Sequence, residues 1–209
     1  MRPTRDLPPN YHPQVTLDLT RNPRLLLWLN VVGFGLLVAS AAFFLKMVFW
    51  LRPHEAAAGL TFAISGLGDG LKTIMALVLA IGAMIGLHEG THGLFFWLFS
   101  GARPVFTFKG YYASAAVPGW YIPRNPYLVV SLAPLVLITL LGILLLAILP
   151  PAWFPALLLV MVLNTSGAVG DLLVAFWLLR VPADTLAYDQ GDSITLYVRA
   201  ADSALPPVA

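Results

Sequence analysis

Long apolar runs separated by short polar stretches dominate the chain. Four of them are long enough to cross a hydrocarbon core about 30 Å thick as helices, at about 20 residues each. They run from about Leu25 to Leu51, Leu71 to Ser100, Leu128 to Leu149 and Ala152 to Leu179. Asn22 and Pro23 supply a cap and a first-turn proline for the first. Pro134 is expected to bend the third near one end, and Pro150 and Pro151 separate the third from the fourth. Between the second and third runs the pattern changes. Residues 105 to 117 are rich in β-branched and aromatic types with no helical period, which predicts a strand or hairpin ending in a turn at Pro118 and Gly119. Non-helical backbone near a membrane must be buried in protein or line a wet cavity, so a re-entrant segment is the other reading. In the C-terminal tail, "DQGD" reads as a turn and "SITLYV" as a short strand.

No internal repeat and no second domain is visible. The pattern predicts an all-α integral membrane protein with four transmembrane helices and a strand-like or re-entrant segment between spans two and three. It forms a single domain over residues 1–209: a polar, proline-rich tail (1–24), a four-span core (25–180) and a C-terminal tail (181–209).

Composition points the same way. The 209 residues are 59% hydrophobic and 11% charged, with mean hydropathy +0.82, which makes a lipid bilayer the expected solvent. Basic residues orient the spans: Arg2, Arg5, Arg21 and Arg24 in the tail, Arg103, Lys109 and Arg124 in the middle loop, and Arg180 after the fourth span. The positive-inside rule then places both termini and the middle loop of this multi-pass protein in the cytoplasm. The first 24 residues make a poor signal-peptide n-region, so the first run is expected to be retained. With no cysteine, disulfides and thiolate metal sites are excluded. The net charge of +2 is modest and the basic residues form no patch, so nucleic acid is not an expected partner.

Chemistry concentrates in the second run, at "HEGTH". His88 and His92 are four residues apart and so share a helix face, a spacing at which two imidazoles can bind one Zn²⁺; Glu89 could reach a water on that metal. The chain holds only four histidines and two glutamates, so a chance match is rare. A plain pair of histidines bonded between helices is the alternative, although ionisable groups inside spans are costly and usually functional. A catalytic zinc site needs a third protein ligand. Besides Glu89, only Asp171 lies well inside a span. It precedes Arg180 by nine residues as His92 precedes Arg103 by eleven, at similar depth in spans that run the same way. Asp171 could instead be a buried aspartate that fixes a helix contact. Asn164, seven residues before Asp171, could donate to a developing oxyanion or bridge two helices. Gly167 and Gly170 thin the helix between them. Gly82, Gly86 and Gly90 form a small-residue stripe expected to pack closely on a neighbouring helix.

Together with "PGWYIPRNPYLVVSLAPL" and "NTSGAVGDLLVAFWLLRVPADTLAYDQGD", the "HEGTH" block resembles the putative zincin peptidase family of bacterial four-span membrane proteins. That family is similar in logic to the site-2 proteases, which are intramembrane zinc metalloproteases. The resemblance implies zinc on His88 and His92, Glu89 as base and Asp171 as third ligand. The chain departs from site-2 proteases in that no proline lies between Asn164 and Asp171, and Leu172 follows where they have glycine.

The expected function is therefore zinc-dependent hydrolysis of peptide bonds in membrane or membrane-proximal substrates. The 105–117 segment could offer an edge for an extended peptide by strand addition, with Phe106, Phe108, Tyr111 and Tyr112 as candidate contacts. Two other readings remain: a non-catalytic zinc-binding membrane protein, sensor or structural, and a transporter or proton relay, disfavoured by the lack of paired halves.

Overall fold

The computed structural model describes residues 1–18, 22–61, 66–110, 113–191 and 193–200. Most of the chain is helical: α1 (Pro23–Leu51), α2 (Pro53–Gly59), α3 (Leu67–Ser100), α4 (Arg124–Ile148), α5 (Phe154–Gly167) and α6 (Val169–Leu178). Among the described residues, α1, α3 and α4 are long and apolar enough to cross a membrane. A fourth span results if α5, with the short 3-10 turn before it, and α6 are taken together across their break at Ala168. The run expected as one helix thus divides between Gly167 and Gly170, where glycine's low helix propensity makes interruption cheap.

The all-α expectation is corrected by strands β1 (Tyr11–Asp18), β2 (Val105–Phe108), β3 (Ala113–Ala116), β4 (Tyr121–Pro123), β5 (Leu186–Asp189) and β6 (Ser193–Arg199). β2 and β3 form the hairpin expected between the second and third spans, and β6 is the strand expected at "SITLYV". Gly119 closes the turn after the hairpin at φ +82°, a conformation glycine takes without a Cβ penalty. The other strands join a four-stranded antiparallel sheet in the order β1-β6-β5-β4.

The residues group into two compact units. One comprises residues 1–30, 89–133 and 170–209. It holds the sheet, whose inward face buries Ile122, Ala187 and Leu196 with Val15, Leu17 and Ile194 against Phe96, Val130, Trp177 and Leu178. The N-terminal segment, expected as a polar tail, belongs to this sheet. β1 pairs with β6 (Val15 opposite Leu196, Leu17 opposite Ile194), while Thr4 bridges to Tyr121 of β4. One stretch of chain therefore pairs with β6, as the sheet's outer strand β1, and bridges to the strand at the opposite edge, β4.

The other unit comprises residues 31–88 and 134–169. Phe44, Val48, Leu146, Phe154 and Met161 form its core. Arg52 donates to the carbonyls of Leu146, Ala147 and Leu149, satisfying acceptors that the end of α4 leaves open, and pairs with Glu55. On α3, Leu71, Ile74, Val78 and Leu79 are exposed. The small-residue stripe does not pack as expected: among the described residues, a Cβ built at Gly82, Gly86 or Gly90 would meet no atom within 4 Å.

Candidate metal centre

α3 is continuous through "HEGTH", so His88 and His92 sit one turn apart on one face, and both are buried. Each ring is held by an oxygen. His92 Nδ1–H donates to the Val130 carbonyl of α4 at 2.9 Å. His88 Nδ1–H donates to Asn164 Oδ1 of α5, also at 2.9 Å. The direction of these bonds follows from the partners. A carbonyl only accepts, so His92 Nδ1 carries the proton. Asn164 Nδ2 donates to the Pro134 carbonyl at 3.3 Å, which fixes the amide with its oxygen toward His88. With both Nδ1 positions engaged, Nε2 is the nitrogen that each ring can offer to a metal.

Asp171 stands in the first turn of α6. The helix restarts at Val169, so the carboxylate lies beside the partial positive charge of a helix N-terminus. Its Oδ1 is 3.3 Å from His92 Nε2. The ligand-capable atoms of His88, His92 and Asp171 all lie within 4.8 Å of one another. Two buried imidazoles and a half-buried carboxylate brought this close are a donor set that suits zinc. The cluster could therefore bind a metal.

Glu89, next on α3, is half-buried. Gly93, one turn further along its row, carries the ring of Phe106: a Cβ there would lie 2.5 Å from Phe106 Cζ and 3.2 Å from Pro104 Cγ. Strand β2 is thus seated on the Glu89 side of α3. Phe106 and Phe108 keep most of their remaining surface exposed. Tyr111 and Tyr112 lie outside the described residues. Asn164, expected as an oxyanion donor or a helix bridge, is fully buried with both ends of its amide engaged as described.

Three partners were not read from the sequence. The Val130 carbonyl is backbone and has no side-chain signature. Tyr127 and Asp189 form a second buried pair: the Tyr127 hydroxyl donates to Asp189 Oδ2 at 2.5 Å, and the Gly191 N–H donates to Oδ1 at 2.7 Å. Burial holds the Asp189 carboxyl above its ordinary range, although both hydrogen bonds pull the other way. The Tyr127 ring also packs edge-on against Phe96, one turn of α3 beyond His92. A signal for Asp189 was present in the "DQGD" turn, where an aspartate ahead of a glycine commonly bonds the turn's own backbone.

Comparison with curated proteins and with solved structures gives no match. A family model described as "Putative zincin peptidase" matches residues 81–186, just over half of the chain, and takes in the histidine pair, Asn164 and Asp171. With the His88–His92–Asp171 cluster inside the matched segment, the chain belongs to the putative zincin peptidase family.

Proposed function

We propose that the protein is a zinc-dependent metallopeptidase embedded in a membrane, hydrolysing peptide bonds of membrane or membrane-proximal substrates. Family membership supports the metallopeptidase reading. The observation that carries it further is the hydrogen bond that holds each histidine ring at Nδ1. Each Nδ1 is committed to an oxygen, so both rings present Nε2 to the space shared with Asp171. A mere helix-packing pair has no need of that arrangement.

Embedding in a bilayer is supported by the exposed apolar residues along α1, α3 and α4, a surface far larger than water tolerates. Charge placement favours both termini in the cytoplasm, as in a bacterial plasma membrane. His88, His92 and Asp171 would hold the zinc. Once bound, zinc supplies Lewis acidity, polarising a carbonyl and making water acidic enough to lose a proton near neutral pH.

The remaining work falls to the chain. Glu89 accepts the proton from the attacking water and returns it to the leaving amine. Asn164 orients His88 through Oδ1. β2 binds an extended peptide along its edge, with Phe106 and Phe108 against the substrate side chains, because a helical substrate hides its scissile carbonyl.

Metal content of the detergent-purified protein tests the site, with wild type beside His88→Ala and Asp171→Ala. About one zinc per chain in wild type and loss in both variants is expected; a metal-free wild type prepared without chelator would overturn the reading. Glu89→Gln tests the chemistry. It should retain zinc and lose cleavage, whereas a sensor or structural zinc protein would keep its function.

A further inference from the structure

A proline inside a helix has no N–H to give to the carbonyl four residues earlier. Pro134 is the proline inside α4, and the carbonyl it leaves without a helical donor belongs to Val130. In an apolar span such an orphan acceptor is costly and must be satisfied by another element. Here the donor is His92 Nδ1–H, at 2.9 Å. The proline's own carbonyl accepts Asn164 Nδ2–H, the bond that turns Asn164 Oδ1 toward His88. One residue thus stands behind both histidines, through a donor it lacks and an acceptor it supplies.

We infer that Pro134 is a positioning residue of the metal centre, which holds His92 at Nδ1–H by freeing the Val130 carbonyl and anchors the amide that holds His88. The inference rests on the zinc reading above. It differs from a simple kink, in which only the bend of α4 matters. If an N–H stood at position 134, it would compete for the Val130 carbonyl. His92 would then lose its fixed partner and populate other ring orientations, and Nε2 would stand beside Asp171 only part of the time.

Pro134→Ala is an informative variant because its two effects oppose. Alanine is favoured over proline in a helix interior, so the folded state should not be weakened through the backbone. Zinc affinity, measured by competition with a chelating dye, should nevertheless fall about 10- to 100-fold, the usual loss when the partner that orients a metal-ligating histidine is removed. A second variant separates the missing N–H from the ring. An α-hydroxy acid at position 134, introduced by nonsense suppression, has an ester oxygen in place of the N–H and no pyrrolidine. It should bind zinc as tightly as wild type. Equal affinity for wild type and Pro134→Ala, or an ester variant as weak as the alanine variant, would overturn the inference.

Nitrogen NMR of the zinc-free protein gives an independent readout. His92 Nδ1 should carry a proton hydrogen-bonded to the Val130 carbonyl in wild type and in the ester variant, and lose that bond for part of the time in Pro134→Ala; an identical Nδ1 signal in all three would also overturn it. A wild type that shows this bond but binds no zinc would instead sink the zinc reading.

Discussion

Asn164→Leu decides between two uses of the same side chain. Leucine keeps the branched shape of asparagine but its methyl groups are larger than the oxygen and amide they replace, so in a site with no solvent exposure both hydrogen bonds go and some overpacking is added. The Pro134 carbonyl loses one donor. The His88 Nδ1–H loses its acceptor, and a buried donor left without a partner costs about 1–3 kcal/mol. An orienting role therefore predicts a modest loss of stability in the metal-free protein. It also predicts a fall of about 10- to 100-fold in zinc affinity, since His88 is no longer held with Nε2 toward the metal. An oxyanion donor predicts another pattern: unchanged zinc affinity and a turnover lower by about 100- to 1000-fold at saturating zinc. Chelator competition and single-turnover cleavage at saturating zinc separate the two. Asn164→Asp sharpens the comparison, because it retains an acceptor for His88 while removing the N–H, and so should recover most of the zinc affinity. Zinc binding within twofold of wild type in Asn164→Leu, with cleavage lost, would refute the orienting role.

Other expectations follow from the same contacts. Asp189 is held above its ordinary value near 3.8, so the native state binds its proton more tightly than the unfolded chain does. Its contribution to stability is greatest in acid and is lost as pH rises from about 4 through the raised value. Asp189→Asn should remove that slope in a series of melting curves, and identical pH dependence in both proteins would count against it. Gly93→Ala puts a methyl group 2.5 Å from Phe106 Cζ. It should displace β2 at a cost of about 1–3 kcal/mol, lowering peptide cleavage while zinc content stays at the wild-type level. Deleting residues 1–18 removes Val15 and Leu17 from the inner face of the sheet and exposes β6 as an edge. Each such side chain contributes about 1.5–3 kcal/mol when fully buried, so the truncated chain should be cut rapidly by protease within residues 186–199, where the full chain resists.

The apolar helices were legible because their signal is local: each is a run of about 20 or more residues that needs no partner to be recognised. The candidate ligands were legible for a related reason, since His88, His92 and Asp171 are conspicuous against apolar surroundings. The sheet was not, because its information is distributed. β1 shows only Val15 and Leu17 as alternating apolar positions, and its partner β6 lies at the other end of the chain. β4 is three residues long, and β5 reads as a strand only once Tyr121 is opposite Tyr188. The glycine stripe misled for the opposite reason. Small residues permit close approach but do not compel it, and α3 leaves Gly82 and Gly86 open.

Spacing within the fourth apolar run differs from that of the histidines it meets. His88 and His92 are four residues apart, about 6 Å along the axis of α3. Asn164 and Asp171 are seven apart, about 10.5 Å if the helix were continuous. Yet Asn164 meets His88 and Asp171 meets His92. The second helix is interrupted between Asn164 and Asp171, at Ala168. The break also gives Asp171 a helix N-terminus to itself. The two glycines near it therefore do more than thin the helix: they mark where one apolar run becomes two elements, the first bonded to His88 through Asn164 and the second carrying Asp171 beside His92.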